Sequence, residues 1–254
     1  MIFPTKENQE TYDALRTDEF CCSICRAFFQ AGFSKSPGFA HRSDTLACFR
    51  NCLQTFGKVL LRALHGEPTA DIDRIVNSLP VMRAQHGHSY SARVAREVAD
   101  AGFCAAKKTH FHGVRLHVIA ERHSGRVPKP AHIWLREVSA HDSKAFVNQP
   151  LQLPDTTLFG DLAYPTRQII AWLKKQNTTL IAPKKKPKGK KLTELEKYHN
   201  RLVSKFRQPI ESLFNWIIEK TSIQKASKVR STVALMIHCW GKLAFAFFLL
   251  VFYY

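Results

Sequence analysis

An α/β domain preceded by a helical region is the fold class that the amino-acid sequence predicts, on three observations. Apolar residues recur at helical spacing within the first 70 positions; short apolar runs rich in β-branched residues replace them after Glu67-Pro68; and from residue 156 strand-like and helix-like stretches alternate. Strands followed by strand–helix alternation are the pattern of a sheet with helices packed on it. A chain of 254 residues with 45% apolar composition has the material to bury the core of one large domain or two small ones.

The elements follow in order. Ser43 and Asp44 are N-cap types, and Phe49, Cys52, Leu53, Phe56, Leu60 and Leu64 then recur at three- and four-residue spacing until Gly66 supplies a stop. That predicts an amphipathic helix with a wide apolar stripe. Residues 12–29 carry a weaker helical pattern, and 32–38 read as a loop. Ile72, Ile75, Val76 and Leu79 form a short apolar run, ended by Pro80, that suits a buried strand. Further strands are predicted over residues 113–120 (GVRLHVIA), 132–138 (HIWLREV), 156–159 and 179–182. Pro165 opens a helix to about Gln176, with Ile169, Ile170, Trp172 and Leu173 on its apolar side. The block KKKPKGKK (Lys184, Lys185, Lys186, Lys188, Lys190, Lys191) repels itself and reads as a solvated loop. Thr193 or a nearby residue then caps a long helix running through Glu211 to about Lys220, in which Pro209 predicts a new segment or a kink. Residues 233–254 are apolar enough to suggest a membrane span, but His238 and Lys242 fall near the middle, where a cation costs about 2.5–3.5 kcal/mol on insertion scales. A buried terminal helix is the preferred reading, and fractionation without detergent separates the two.

Lys and Arg outnumber Asp and Glu by 38 to 20, a formal charge of +18. Such a charge sets partners rather than fold. Nucleic acid is favoured over an anionic membrane surface, because cations gain affinity by releasing counterions from the phosphate backbone. The first ten residues are polar and lack an apolar signal core, so a cytoplasmic protein with reduced thiols is expected rather than a secreted disulfide scaffold. Cys22 and Cys25 with Cys48 and Cys52 have spacings open to zinc, yet the second pair sits in a helical pattern and reads as core. Eight histidines between His86 and His141 follow no metal-site spacing.

Three polar residues stand out. Asp161 follows an apolar strand and Gly160, at the end where an α/β sheet presents ligands; alternatively it caps the next helix. Glu211 lies four residues after Arg207, which places both on one helix face, either as functional groups or as a surface ion pair. Asn77 interrupts an apolar strand, as a site residue or as a hydrogen-bonded core amide.

Taken together, these segments resemble the DDE transposases of bacterial insertion sequences. Val76-Asn77-Ser78-Leu79-Pro80 stands where the family has its first catalytic Asp, and Gly113-Val114-Arg115-Leu116-His117 and Ser139-Ala140-His141-Asp142 match the two segments that follow. Gly160-Asp161-Leu162-Ala163-Tyr164 matches the second Asp, and Arg207 to Glu211, followed by Phe214, matches the Glu helix. Ser204 and Ile218 occupy the positions of the family's Tyr and Lys. The resemblance spans residues 71–254. It implies a ribonuclease-H-like mixed sheet flanked by helices, with residues 1–70 as a helical region for DNA-end recognition or subunit contact. It further implies a two-metal Mg²⁺ or Mn²⁺ site with Asp161 and Glu211 as ligands, double-stranded transposon-end and target DNA as substrate, and a homo-oligomer on that DNA. Arg207 and the six lysines of residues 184–191 are the expected DNA contacts. Asn77 removes one anion from the metal site, so this copy is expected to be impaired, leaving a basic DNA-binding derivative as the alternative. Asp71 and Asp73 are the nearby carboxylates able to substitute.

Overall fold

The computed structural model describes residues 73–253, apart from 106, 141, 148, 150, 187, 188 and 190, together with residues 51, 53 and 57. The expected helical region 1–70, the cysteine pairs considered for zinc and the pattern change at Glu67-Pro68 lie outside the described residues, except that positions 51, 53 and 57 are helical, within the predicted helix.

Six strands form one mixed sheet: β1 (Arg74–Gln85), β2 (Asp100–Cys104), β3 (Thr109–Glu121), β4 (Lys129–Glu137), β5 (Thr157–Phe159) and β6 (Thr179–Ile181). β1 and β3 pair antiparallel along their whole length, from Arg74 opposite Glu121 to Gln85 opposite Phe111. The other edge of β3 is shared, with β2 beside residues 109–113 and β4 beside residues 114–121. β5 then adds to β1 in parallel and β6 to β5 in parallel. Three long antiparallel strands followed by two short parallel ones make the mixed sheet expected of a ribonuclease-H-like domain.

Prolines fall differently from expectation. Pro80 does not end β1. Met82 directs its N–H to the Gln224 carbonyl and its carbonyl to the Ala226 N–H, so Pro80, two residues earlier, turns its nitrogen to the same flank. The β5 pairing covers only Arg74 and Ile75, so no strand requires an N–H from Pro80. Strand β2 has no counterpart among the predicted strands, since Ala101 and Gly102 are poor strand formers, and it is held by its pairing with β3.

Helices α1 (Asp142–Val147) and α2 (Arg167–Lys174) cover one face of the sheet, and α3 (Glu194–Thr221) and α4 (Thr232–Tyr253) the other. Strand alternation divides β1 between them. Ile75, Leu79 and Val81 face Ile210, Leu213, Phe214 and Ile217 of α3 and Leu235, Leu243 and Phe247 of α4. Val76 faces Phe146, Leu158, Tyr164 and Ile169. Thr193 opens α3 and forms a capping box with Glu196, and the helix continues through Pro209 as one element rather than starting again there.

Helix α4 is long and apolar enough to cross a membrane, with a mean hydropathy of 1.9. It is buried on one face only, and Phe245, Phe248 and Phe252 are exposed. Its two interrupting polar groups meet the end of α3: His238 Nε2 donates to the Ile223 carbonyl at 2.9 Å and Lys242 Nζ to the Ser222 carbonyl at 3.2 Å. A cation beside the last carbonyls of a helix is favourable.

Beneath the sheet, on the α1 and α2 side, lies a polar cluster drawn from separate segments. Asp142 accepts from Ser78 Oγ at 3.4 Å and from Arg115 at 3.1 Å. Next to Ser78, His117 is fully buried and stacks on Trp134 with ring centroids 5.2 Å apart. Burial, helped by Arg115 and Arg136 and opposed by Asp142, pushes the His117 pKa down from 6.5 to about 4.

Two outcomes follow from this architecture. A methyl group at Gly113 would run into the Val81 backbone carbonyl between two central strands. Gly113→Ala should therefore cost at least about 3 kcal/mol in urea unfolding, and an unchanged midpoint would refute that packing. For His117, the unfolded imidazole takes up its proton before the folded one. Stability is therefore complete above pH 6.5 and is lost as pH falls toward 4. The loss should be on the order of 3 kcal/mol, and thermal melts across that range should flatten in His117→Leu.

Candidate active site

The end of β5 and the start of β1 are fixed beside each other by their pairing. Arg74 lies opposite Leu158 and Ile75 opposite Phe159. That pairing ends two residues before Asn77 on one strand and two before Asp161 on the other. At Gly160 the chain passes close to its neighbours: a Cβ there would press on Val76 Cγ1 and on the Tyr164 side chain at 3.2–3.3 Å. Asn77 shares the strand face of Ile75 and Leu79, so it lies on the α3 side. It is half-buried, and its Oδ1 accepts the Ser78 N–H at 2.9 Å.

Asp161 is half-exposed and accepts the Leu162 N–H at 2.7 Å. It does not cap the following helix. Thr166 does, accepting from Ile169 N–H at 3.3 Å, so α2 starts at Arg167 rather than at Pro165.

Helix α3 is seated on this strand end by aromatic stacking. The Phe206 ring lies parallel to that of Phe159 at 5.0 Å, two residues before Asp161, and Arg122 covers Phe206 at 4.5 Å from its centroid. The next residue, Arg207, is mostly buried and reaches Asp161 at 3.6 Å. Arg207 thus pairs across to Asp161 and not along the helix to Glu211. Glu211 follows one turn later, at a side-chain spacing of about 5–6 Å for such pairs. It is exposed, at the margin of the stripe formed by Val203, Ile210, Phe214 and Ile217. Phe206 carries no polar chemistry to single it out in the sequence; its place in the apolar stripe is the signal available.

Asp73 does not occupy the place of the missing carboxylate. It lies at the level of Thr157, four residues or about 13 Å of strand from Asp161, and it pairs with Arg122 at 3.9 Å. Asp71 lies outside the described residues. Asp161 and Glu211 offer the hard anionic oxygens that magnesium prefers, whereas Asn77 offers a neutral amide. Among the described residues no group of three or more His, Cys, Asp and Glu side chains is placed to hold a metal ion. Two carboxylates and a neutral amide lack the third anion suited to a pair of divalent cations.

Of the lysine block, Lys184, Lys185, Lys186 and Lys191 are exposed, while Lys188 and Lys190 lie outside the described residues. The root of the block is tied to α3: the Lys184 N–H donates to Asn200 Oδ1 at 2.7 Å, and Asn200 Nδ2 donates back to the Lys184 carbonyl at 3.1 Å.

No curated protein and no solved structure matches the chain. The family model for the transposase DDE domain matches residues 80–247, beginning three residues after Asn77 and including β3, Asp161 and Glu211. Since that match covers well over half of the 254 residues, the protein belongs to the DDE-domain transposase family.

Proposed function

We propose that the chain is a DNA transposase of an insertion sequence in which Asp161 and Glu211 are the retained metal ligands, Asn77 stands in place of the first, and activity is impaired as a result. The observation that supports this reading is the link through Arg207, which reaches Asp161 at 3.6 Å and precedes Glu211 by one turn, just past the strand that pairs with the start of β1. Divalent metal, Mg²⁺ or Mn²⁺, when bound by such carboxylates activates the attacking oxygen and stabilises the leaving one in an in-line displacement at phosphorus.

The chain's own residues supply the rest. In this reading Asp161, held by Arg207, and Glu211, one turn beyond Arg207 on α3, are the anionic groups that take the metal. Arg207 holds Asp161 in place and balances its charge. Asn77 offers an oxygen without a charge, and its engagement with Ser78 N–H makes it a poor replacement for a carboxylate. The substrate is double-stranded DNA, at the element ends and then the target: hydrolysis leaves a 3′ hydroxyl, which attacks a target phosphodiester. A homo-oligomer on DNA and a cytoplasmic location accompany this reading, with residues 1–70 as the end-recognition or subunit-contact region and the catalytic domain from residue 71.

A second reading, a basic DNA-binding derivative without chemistry, is favoured by Asn77 itself. Asn77→Asp separates the two. It should raise Mg²⁺- or Mn²⁺-dependent cleavage of DNA carrying the element's terminal repeats by at least about tenfold, and Asp161→Asn in the same background should abolish the gain. If the restored chain binds that DNA without cutting it, the enzymatic reading fails.

A further inference from the structure

Along the outward side of α3 runs a hollow of about 670 Å³, lined by Leu192, Asn200, Ser204 and Gln208 together with Lys197, Arg201, Lys205, Arg207 and Glu211. Lys197, Arg201 and Lys205 recur every four residues, so each lies about 6 Å along the helix from the last. All three are exposed. Lys197 pairs with Glu194 at 2.6 Å, an exposed interaction of little energetic weight. The stripe starts where Asn200 anchors the root of the lysine block and ends just before Arg207 and Glu211.

We infer that this face of α3 is a track for the phosphate backbone of one DNA strand, leading it toward Glu211. The inference rests on the proposed DNA chemistry of the site and adds the surface that holds the substrate. Three cations over about 12 Å span three to four nucleotide steps of a strand rising about 3.4 Å per step. Asn200, Ser204 and Gln208 line the same hollow and supply neutral donors of the kind that bind phosphate and sugar oxygens. Because it grips phosphate, the track carries no sequence preference.

The test is equilibrium binding of the full chain to a random-sequence DNA duplex in EDTA, over a series of salt concentrations. Combining Lys197→Gln, Arg201→Gln and Lys205→Gln should reduce the slope of log K against log salt by about 2.7, at about 0.9 for each phosphate no longer neutralised. Arg201→Gln and Lys205→Gln alone, at exposed positions, should each remove about 0.9 and stand in if the triple variant does not fold. An unchanged slope in the α3 variants overturns the track. So does competition by polyglutamate as effective as that by DNA at equal charge, which would point to an acidic protein partner. Because EDTA excludes cleavage, these outcomes are independent of the Asn77→Asp result: salt slopes as expected without restored cutting defeat the enzymatic reading alone, and restored cutting with unchanged slopes defeats the track alone.

Discussion

The pairing of β1 with β3 sets the two faces of this molecule. It runs from Arg74 to Gln85, and over residues 74–82 the side chains of β1 alternate without interruption, with an irregularity between Met82 and Ala84. A slip of one residue would carry Asn77 and the apolar residues on either side of it to the opposite face. Asn77 therefore reaches the α3 side only because Ile75, Leu79 and Val81 are committed to the core beneath α3 and α4. The same alternation gives Ser78 to the underside, where it meets Asp142. Adjacent residues of one motif thus serve different ends: one at the candidate metal position, the next in the polar packing beneath it.

That division also accounts for motif pieces that have no evident chemistry. Ser78, Arg115, His117, Asp142 and Tyr164 are scattered over nearly ninety positions of sequence, yet Asp142 draws Ser78 and Arg115 together, and its charge acts on both His117 and Tyr164. Their shared role is structural: they pack the sheet's underside directly behind the strand ends that carry Asn77 and Asp161. Tyr164 shows the coupling most directly. Its ring presses on Gly160, and burial drives its hydroxyl well above the ordinary tyrosine range, so it remains neutral next to the carboxylates.

Much of this is legible in the sequence. Strands β3 to β6, the opening of α3 near Thr193 and the length of that helix follow from periodicity and local hydrogen-bonding chemistry, which act over a few residues. Expectation and structure part at proline, because its effect depends on what lies beside it. Pro80 is tolerated by an open flank created by residues far along the chain, and Pro209 by a helix already anchored through Ile210, Leu213 and Phe214. Arg207 and Glu211 are visible as a pair on one helix face. That Arg207 turns away from Glu211 to Asp161 is a tertiary fact, resting on the stacking of Phe206 and Phe159. The recurrence of Lys197, Arg201 and Lys205 is equally present in the sequence, but the denser lysine block just before it is the louder signal of charge.

Pro209 leaves a lasting mark on α3. With no amide at that position, the Lys205 carbonyl loses its partner one turn up, and the ring crowds it. The helix has unequal anchorage on either side of this point. After it, Ile210, Leu213, Phe214 and Ile217 are locked into the core; before it, Leu195, Tyr198 and Leu202 are left in solvent. The cationic face thus stands on the less deeply packed half, which Val203, the Phe206–Phe159 stack and the Asn200–Lys184 hydrogen bonds tie to the sheet side, while Glu211 stands on the half packed into the core.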